Sequence, residues 1–353
     1  MNRIDLNSNS PASSNILYFP YIRVPQSAWF SRVLLYWDEV GSIVPSEYQR
    51  QRERLGSYMQ ELVEAGLVKE VVPAKYHSAV PKFRSAFLDL IDHSSIIEER
   101  RGVALQEYET ISIHIEKMIG DGLTEDLVDR GLASPAQYPW WNVETLTANL
   151  FMGYLASVLG KLDELRMYPM TDITSALSVF SRTPQRILST RSLVDQLRMG
   201  VLADILPSPD YTVPVRELLD FKHQHSSLLR SFRRHIEAFL IDLTAITEIE
   251  QRNERVQIFK TQTKERINEI VAKMNERRWP RIILGGVCGV VAAAIPGISA
   301  IVTDNPLVAA AALPGLVSAI YLAFSGLPDK QRQILHDPLA YAFYARRRFS
   351  VPS

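Results

Sequence analysis

Val213 to Leu243 reads VPVRELLDFKHQHSSLLRSFRRHIEAFLIDL. Its residues Leu218, Phe221, His225, Leu228, Phe232, Ile236, Phe239 and Leu243, followed by Ile246, recur at three- and four-residue steps. That spacing places them on one face of an α-helix. After a polar interruption at Glu250 to Arg255 the stripe resumes through Val256, Phe259, Thr263, Ile267, Ile270 and Met274. The facing residues Lys264, Glu265, Arg266, Glu269 and Lys273 mix both signs, which suits solvent and i,i+4 pairing. Residues 207–278 are therefore predicted to form a long helical stalk. A run of this length implies a coiled coil or two antiparallel helices. Self-association, a partner protein's helix and pairing within the chain all satisfy the pattern.

Downstream, Ile282 to Val302 and Leu307 to Leu327 contain no charged residue. Each has about the ~20 residues that a helix needs to cross a bilayer core. The polar turn Thr303-Asp304-Asn305-Pro306 separates them. Arg277, Arg278, Trp279 and Arg281 precede the pair, and Lys330 follows it. With Tyr321, these form the expected membrane-interface set, with membrane lipid as partner and both ends in the cytoplasm. The alternative is an apolar helical hairpin (279–328) buried in a soluble core, because Pro296 and Pro314 interrupt the segments. Residues 329–353 read as a basic tail, in which Arg346-Arg347-Arg348 either meets anionic lipid or stays solvated.

Upstream, the signals change from helical to mixed. Ile16 to Ile22 is a β-prone run, a helical pattern follows through Trp29, Val33, Leu34 and Trp37, and Ser42-Ile43-Val44 is extended again. Ser46 opens a second helix that Gly66 closes, and Leu67 to Val72 is a third extended run. This βαβαβ order predicts a small layer of parallel strands. Tyr76 to Arg101 reads as helical, and Ile111 to Ile115 as a strand. Thr124 reads as the N-cap of a short helix, Ala133 to Pro139 as a loop, Val143 to Leu165 as a buried helix and Pro169 to Thr171 as a break. The predicted fold class is α+β and mostly α-helical. A disordered N-terminus (1–15) leads into an α/β and helical body (16–206), then the stalk, the hairpin and the tail.

Composition excludes more than it selects. The 353 residues carry 39 basic and 39 acidic side chains, so no nucleic-acid partner is expected. The single cysteine, Cys288, excludes an intramolecular disulfide and a cysteine-based metal site. Met1 to Asn15 is polar, with no apolar signal core, so the body is expected in the cytoplasm. Phosphate-loop, dinucleotide, zinc-protease and nucleophile-elbow motifs are all absent from the sequence, and neither a cofactor nor a catalytic residue is indicated.

Tyr18-Phe19-Pro20-Tyr21-Ile22, Trp29, Leu35-Tyr36-Trp37-Asp38 and Ile43-Val44-Pro45 together form an opening that resembles an uncharacterised family of bacterial proteins of unknown function. Met152 to Ala156, Pro169 to Asp172, Leu206 to Phe221 and Phe232-Arg233 extend the resemblance along most of the chain. It implies a bacterial cytoplasmic origin and assigns no activity.

Tyr21, Arg23, Trp37 and Asp38 form the candidate ligand-binding set. Tyr21 and Arg23 follow the first strand, where parallel layers bind ligands and a guanidinium suits a phosphate or carboxylate. Asp38 closes the next helix at the other end of the layer, where pairing with a cation suits it better than acting as a base. His225 falls on the apolar stripe as a core histidine, and His114 with Glu116 lacks a third metal ligand. The expected function is a non-enzymatic, membrane-associated sensor or effector, by analogy with membrane-disrupting proteins of antiviral and toxin systems. The alternatives are a soluble ligand-binding protein or enzyme using the N-terminal layer, and a soluble helical scaffold.

Overall fold

A computed structural model describes residues 15–103, 109–173, 176, 190–207, 209, 213–246, 248–275 and 337–349. The expectations for residues 1–14, for both apolar segments and for Arg277, Arg278, Trp279, Arg281, Tyr321 and Lys330 lie outside the described residues. Among the described residues, no helix is long and apolar enough to cross a membrane.

The fold is α+β and mostly helical, with one parallel and one antiparallel sheet. The first three strands are β1 (Asn15–Tyr18), β2 (Glu39–Ile43) and β3 (Val68–Val71). Helix α1 (Ala28–Tyr36) connects the first two, and α2 (Ser46–Arg50) with α3 (Ser57–Glu64) connects the next. Ser27 caps α1, its hydroxyl accepting from the Phe30 N–H. Gly66 ends the α3 turn at φ 69°, a conformation that favours glycine. All strands run parallel in the order β3-β2-β1-β7, where β7 is Tyr168–Met170. The registers pair Tyr18 with Ser42, Ile43 with Val71 and Leu17 with Pro169.

Tyr168 to Met170 therefore corrects the expected break, because Pro169 sits in an edge strand, where its missing N–H is tolerated. A second correction lies just upstream. Helices α4 (Phe83–Ile91), α5 (Ser94–Val103) and α6 (Leu123–Asp129) accompany an antiparallel sheet. Its strands are β4 (Thr110–His114), β5 (Ala133–Pro135) and β6 (Trp140–Glu144), in the order β4-β6-β5. The expected loop at Ala133 thus begins with a strand, and the expected helix at Val143 starts only after one. Thr124 lies inside α6, and Gly122, at φ 81°, takes the cap position.

Helix α7 (Thr145–Gly160) is buried on nearly all sides, as its all-round apolar sequence requires. It touches β1 and β7 of one sheet and β4 and β6 of the other, so both sheets share one core. Phe87 and Phe151 meet edge to face at 5.3 Å in that core. Gly160 lets the end of α7 approach the Met167 carbonyl, which leaves no room for a Cβ.

Helices α8 (Thr190–Ile205) and α9 (Val215–Gln224) complete the first of two compact units. The second comprises His225–Arg348. It contains α10 (Ser226–Thr244), α11 (Ile249–Asn275) and all but the last residue of α12 (Ala340–Phe349). The periodic stretch is therefore interrupted twice, at His225 and before Ile249. Phe239 stacks on Phe259 at 3.7 Å, and Phe232 stacks on Tyr341 at 5.7 Å. Residues 340–349 are a packed helix rather than a loose tail, with Tyr341, Phe343, Ala345 and Phe349 buried.

Candidate functional site

Parallel strands leave a crevice beyond their carboxyl ends, where chain and helix starts offer polar groups to a ligand. Here a cavity of about 350 Å³ lies past the ends of β1 and β2. One wall is the loop Pro20-Tyr21-Ile22-Arg23, with Tyr48 of α2 beside it. The facing wall comes from Ile111 to His114 of β4, Trp140 of β6 and Met152 of α7, and Lys117 completes the lining.

Three side chains fix the loop through its own carbonyls or its arginine. The Ser42 hydroxyl donates to the Ile22 carbonyl at 2.8 Å. The Lys117 Nζ donates to the Pro20 carbonyl at 3.0 Å. Arg23 donates from Nε and Nη2 to the Arg54 carbonyl, at 3.1 and 2.5 Å. A guanidinium has five donor hydrogens, and these two bonds leave the Nη1 edge for an incoming group. Arg23 and Tyr21 are exposed at the mouth.

Polar contacts continue around the rim. His114 is buried, and its Nδ1 accepts the Glu116 N–H at 3.2 Å. Its Nε2 faces Glu47 Oε2 at 3.2 Å. The other Glu47 oxygen pairs with Arg54. His114 lies edge to face with Trp140 at 5.2 Å and with Tyr48 at 6.1 Å. The Glu116 carboxylate accepts the Ser46 N–H at the start of α2. Burial opposes its charge, but the Ser46 bonds, His114 and Arg50 outweigh burial and hold its pKa below the usual carboxylate value.

Lys117 stands apart from these paired charges. The 3-10 turn Ile115–Lys117 after β4 carries it inward, and it is 3% exposed. Burial alone pushes its pKa down to about 7. Among the described residues its one hydrogen-bond partner is the Pro20 carbonyl, and no carboxylate pairs with it.

The structure divides the candidate residues read from the sequence. Tyr21 and Arg23 line the cavity. Trp37 and Asp38 lie at the other end of the layer, just before Glu39, which pairs with Asn15 at the start of β1. Trp37 is buried there, and its carbonyl accepts from Lys222, while Asp38 is exposed. Lys117, Tyr48 and Trp140 escaped the sequence reading. The signal for Lys117 was its two-residue spacing from Ile115 and Ile119, and from Ile113 before them, which puts it on the apolar face of an extended run. No group of three metal-capable side chains, with or without His114 and Glu116, converges among the described residues.

Comparison of the chain with protein families, curated proteins and solved structures finds no match in any of the three.

Proposed function

We propose that the protein is a small-ligand sensor whose α/β unit binds a compact anion with an apolar, planar body. The observation that carries this reading is a cavity with aromatic and aliphatic walls and a cation at its mouth. Trp140, Tyr48, Ile113 and Met152 suit an apolar body, and Arg23 suits a carboxylate or phosphate. Pockets of this kind start at roughly 300 Å³. Benzoate is a fitting probe, read through Trp140 fluorescence. The wild-type chain is expected to bind it saturably, and Arg23→Ala to weaken binding by about tenfold, the worth of one charge-assisted hydrogen-bond pair. Equal binding by the two proteins would remove Arg23 from the site and the reading with it.

The helical unit and the apolar segments supply the output in this proposal. Helix α11 is described as far as Asn275, and the described chain resumes at Asp337. Arg266 bonds Asp337 at 2.9 Å. In this reading the two uncharged sequence segments, Ile282 to Val302 and Leu307 to Leu327, serve as the membrane element of a bacterial defence-type effector. Fractionation with a carbonate wash tests this arm. The full chain should stay with the membrane and a truncation ending at Glu276 should not. Recovery of both in the soluble fraction leaves the buried-hairpin reading in its place.

A further inference from the structure

We propose that Lys117 captures a carbonyl group of the ligand as a reversible imine. The inference rests on the anion-binding reading of the same cavity and adds the second functional group that the ligand must carry. The ligand class is then an aldehyde or ketone with an acid group: the acid is held at the mouth by Arg23, and the carbonyl is carried inward.

Geometry points to a neutral amine. An ammonium group has three N–H donors and needs three acceptors or a counter-ion once it is buried. Lys117 has one acceptor, the Pro20 carbonyl at 3.0 Å, and its other neighbours in the cavity include Ile113 and Met152. An amine that gives one N–H to Pro20 keeps a lone pair for the cavity. The neighbouring ionisable groups are engaged elsewhere. Glu47 is held by Arg54 and His114, and Glu116 is held by the start of α2. Neither serves as the missing counter-ion. A desolvated lysine in an apolar pocket is the form in which this side chain becomes nucleophilic at neutral pH.

The step balances without an oxidant or reductant. The Nζ lone pair attacks the carbonyl carbon, and the C=O π pair moves to oxygen. A proton passes from nitrogen to that oxygen through solvent water, giving a carbinolamine. Loss of water forms the C=N bond, and hydrolysis reverses every step.

The test treats the full chain with 4-formylbenzoate and cyanoborohydride, which reduces an imine to a stable secondary amine. Peptide mass analysis then locates the adduct, whose added mass is that of the aldehyde less one oxygen. At pH 7 and limiting aldehyde, Lys117 is expected to label about tenfold or more faster than surface lysines, because an ordinary lysine is almost wholly protonated there. Excess benzoate should suppress the labelling, and urea should abolish the preference. Lys117→Met should lose the adduct, and a cooperative denaturant transition like that of the wild type shows that the variant is folded. If benzoate binds and Lys117 labels no faster than surface lysines, imine formation falls and the anion site stands. If benzoate does not bind and Lys117 is not labelled, both fall.

Discussion

Lys117 in the first unit and the half-buried His225 in the second are two basic side chains whose charged forms burial disfavours, and their surroundings differ. Lys117 ends a 3-10 turn with a cavity in front of it and a single carbonyl behind it. His225 lies beneath the Tyr344 ring, 4.7 Å between centroids and 14° from parallel. Burial pushes the Lys117 pKa down to about 7 and that of His225 down to about 4. Desolvation is the same physics in both places. Lys117 lines a space that a ligand can enter, whereas His225 lies flat against the Tyr344 ring. Burial alone therefore does not carry the proposal; burial beside a cavity, with no carboxylate paired to the amine among the described residues, is what it rests on.

The largest expected effect lies in the helical unit. Phe232 is fully buried and stacks on Tyr341. Phe232→Ala should cost about 4 kcal/mol of unfolding free energy in a denaturant titration. Benzoate binding by the still-folded fraction should not change. A parallel loss of benzoate affinity would break the separation between a structural and a functional unit.

Lys117→Met should give the next largest change, with the opposite sign. The folded pKa of Lys117 lies below the unfolded one, so the unfolded chain binds more protons between about pH 7 and pH 10. Wild-type stability should therefore rise with pH across that window. Below pH 7 the variant should be more stable by about 3 kcal/mol, allowing for the Pro20 carbonyl left without its donor. The difference should close towards pH 10. A variant less stable than wild type at every pH would mean that the amine is a paired structural charge.

His225→Phe should give the smallest change, confined to acid. The folded pKa of His225 is also depressed, so the unfolded chain binds the extra proton between about pH 6.5 and pH 4. Wild-type stability should fall as the pH drops through that window, and the variant should escape about 2 kcal/mol of the loss. If the two acid profiles coincide, His225 is solvated and the contrast with Lys117 loses its control.

The helical stripe was legible because eight aromatic or aliphatic residues keep one period over eight turns, and most of them are buried. One position slipped: Leu229 is buried where Leu228 was expected, since α10 begins afresh after His225. The βαβαβ opening was legible for the same reason, with short apolar runs punctuated by Pro45 and Gly66. Strands β6 and β7 were not. Trp140–Glu144 runs straight into the apolar pattern of α7, and Tyr168–Met170 is three residues long with a proline in the middle. Half of the candidate site was legible, because Tyr21 and Arg23 follow a strand that could be recognised. The other half was not, because Lys117 and Trp140 reach the cavity from an antiparallel sheet whose pairing joins residues far apart in sequence.

The most direct test is a pH titration of the chain carrying 13C at lysine Cε, followed by NMR with and without benzoate. The account predicts a lysine resonance, missing from Lys117→Met, with a midpoint near pH 7 that moves upward when benzoate enters the cavity. A Lys117 resonance that titrates with the surface lysines and ignores benzoate would contradict it.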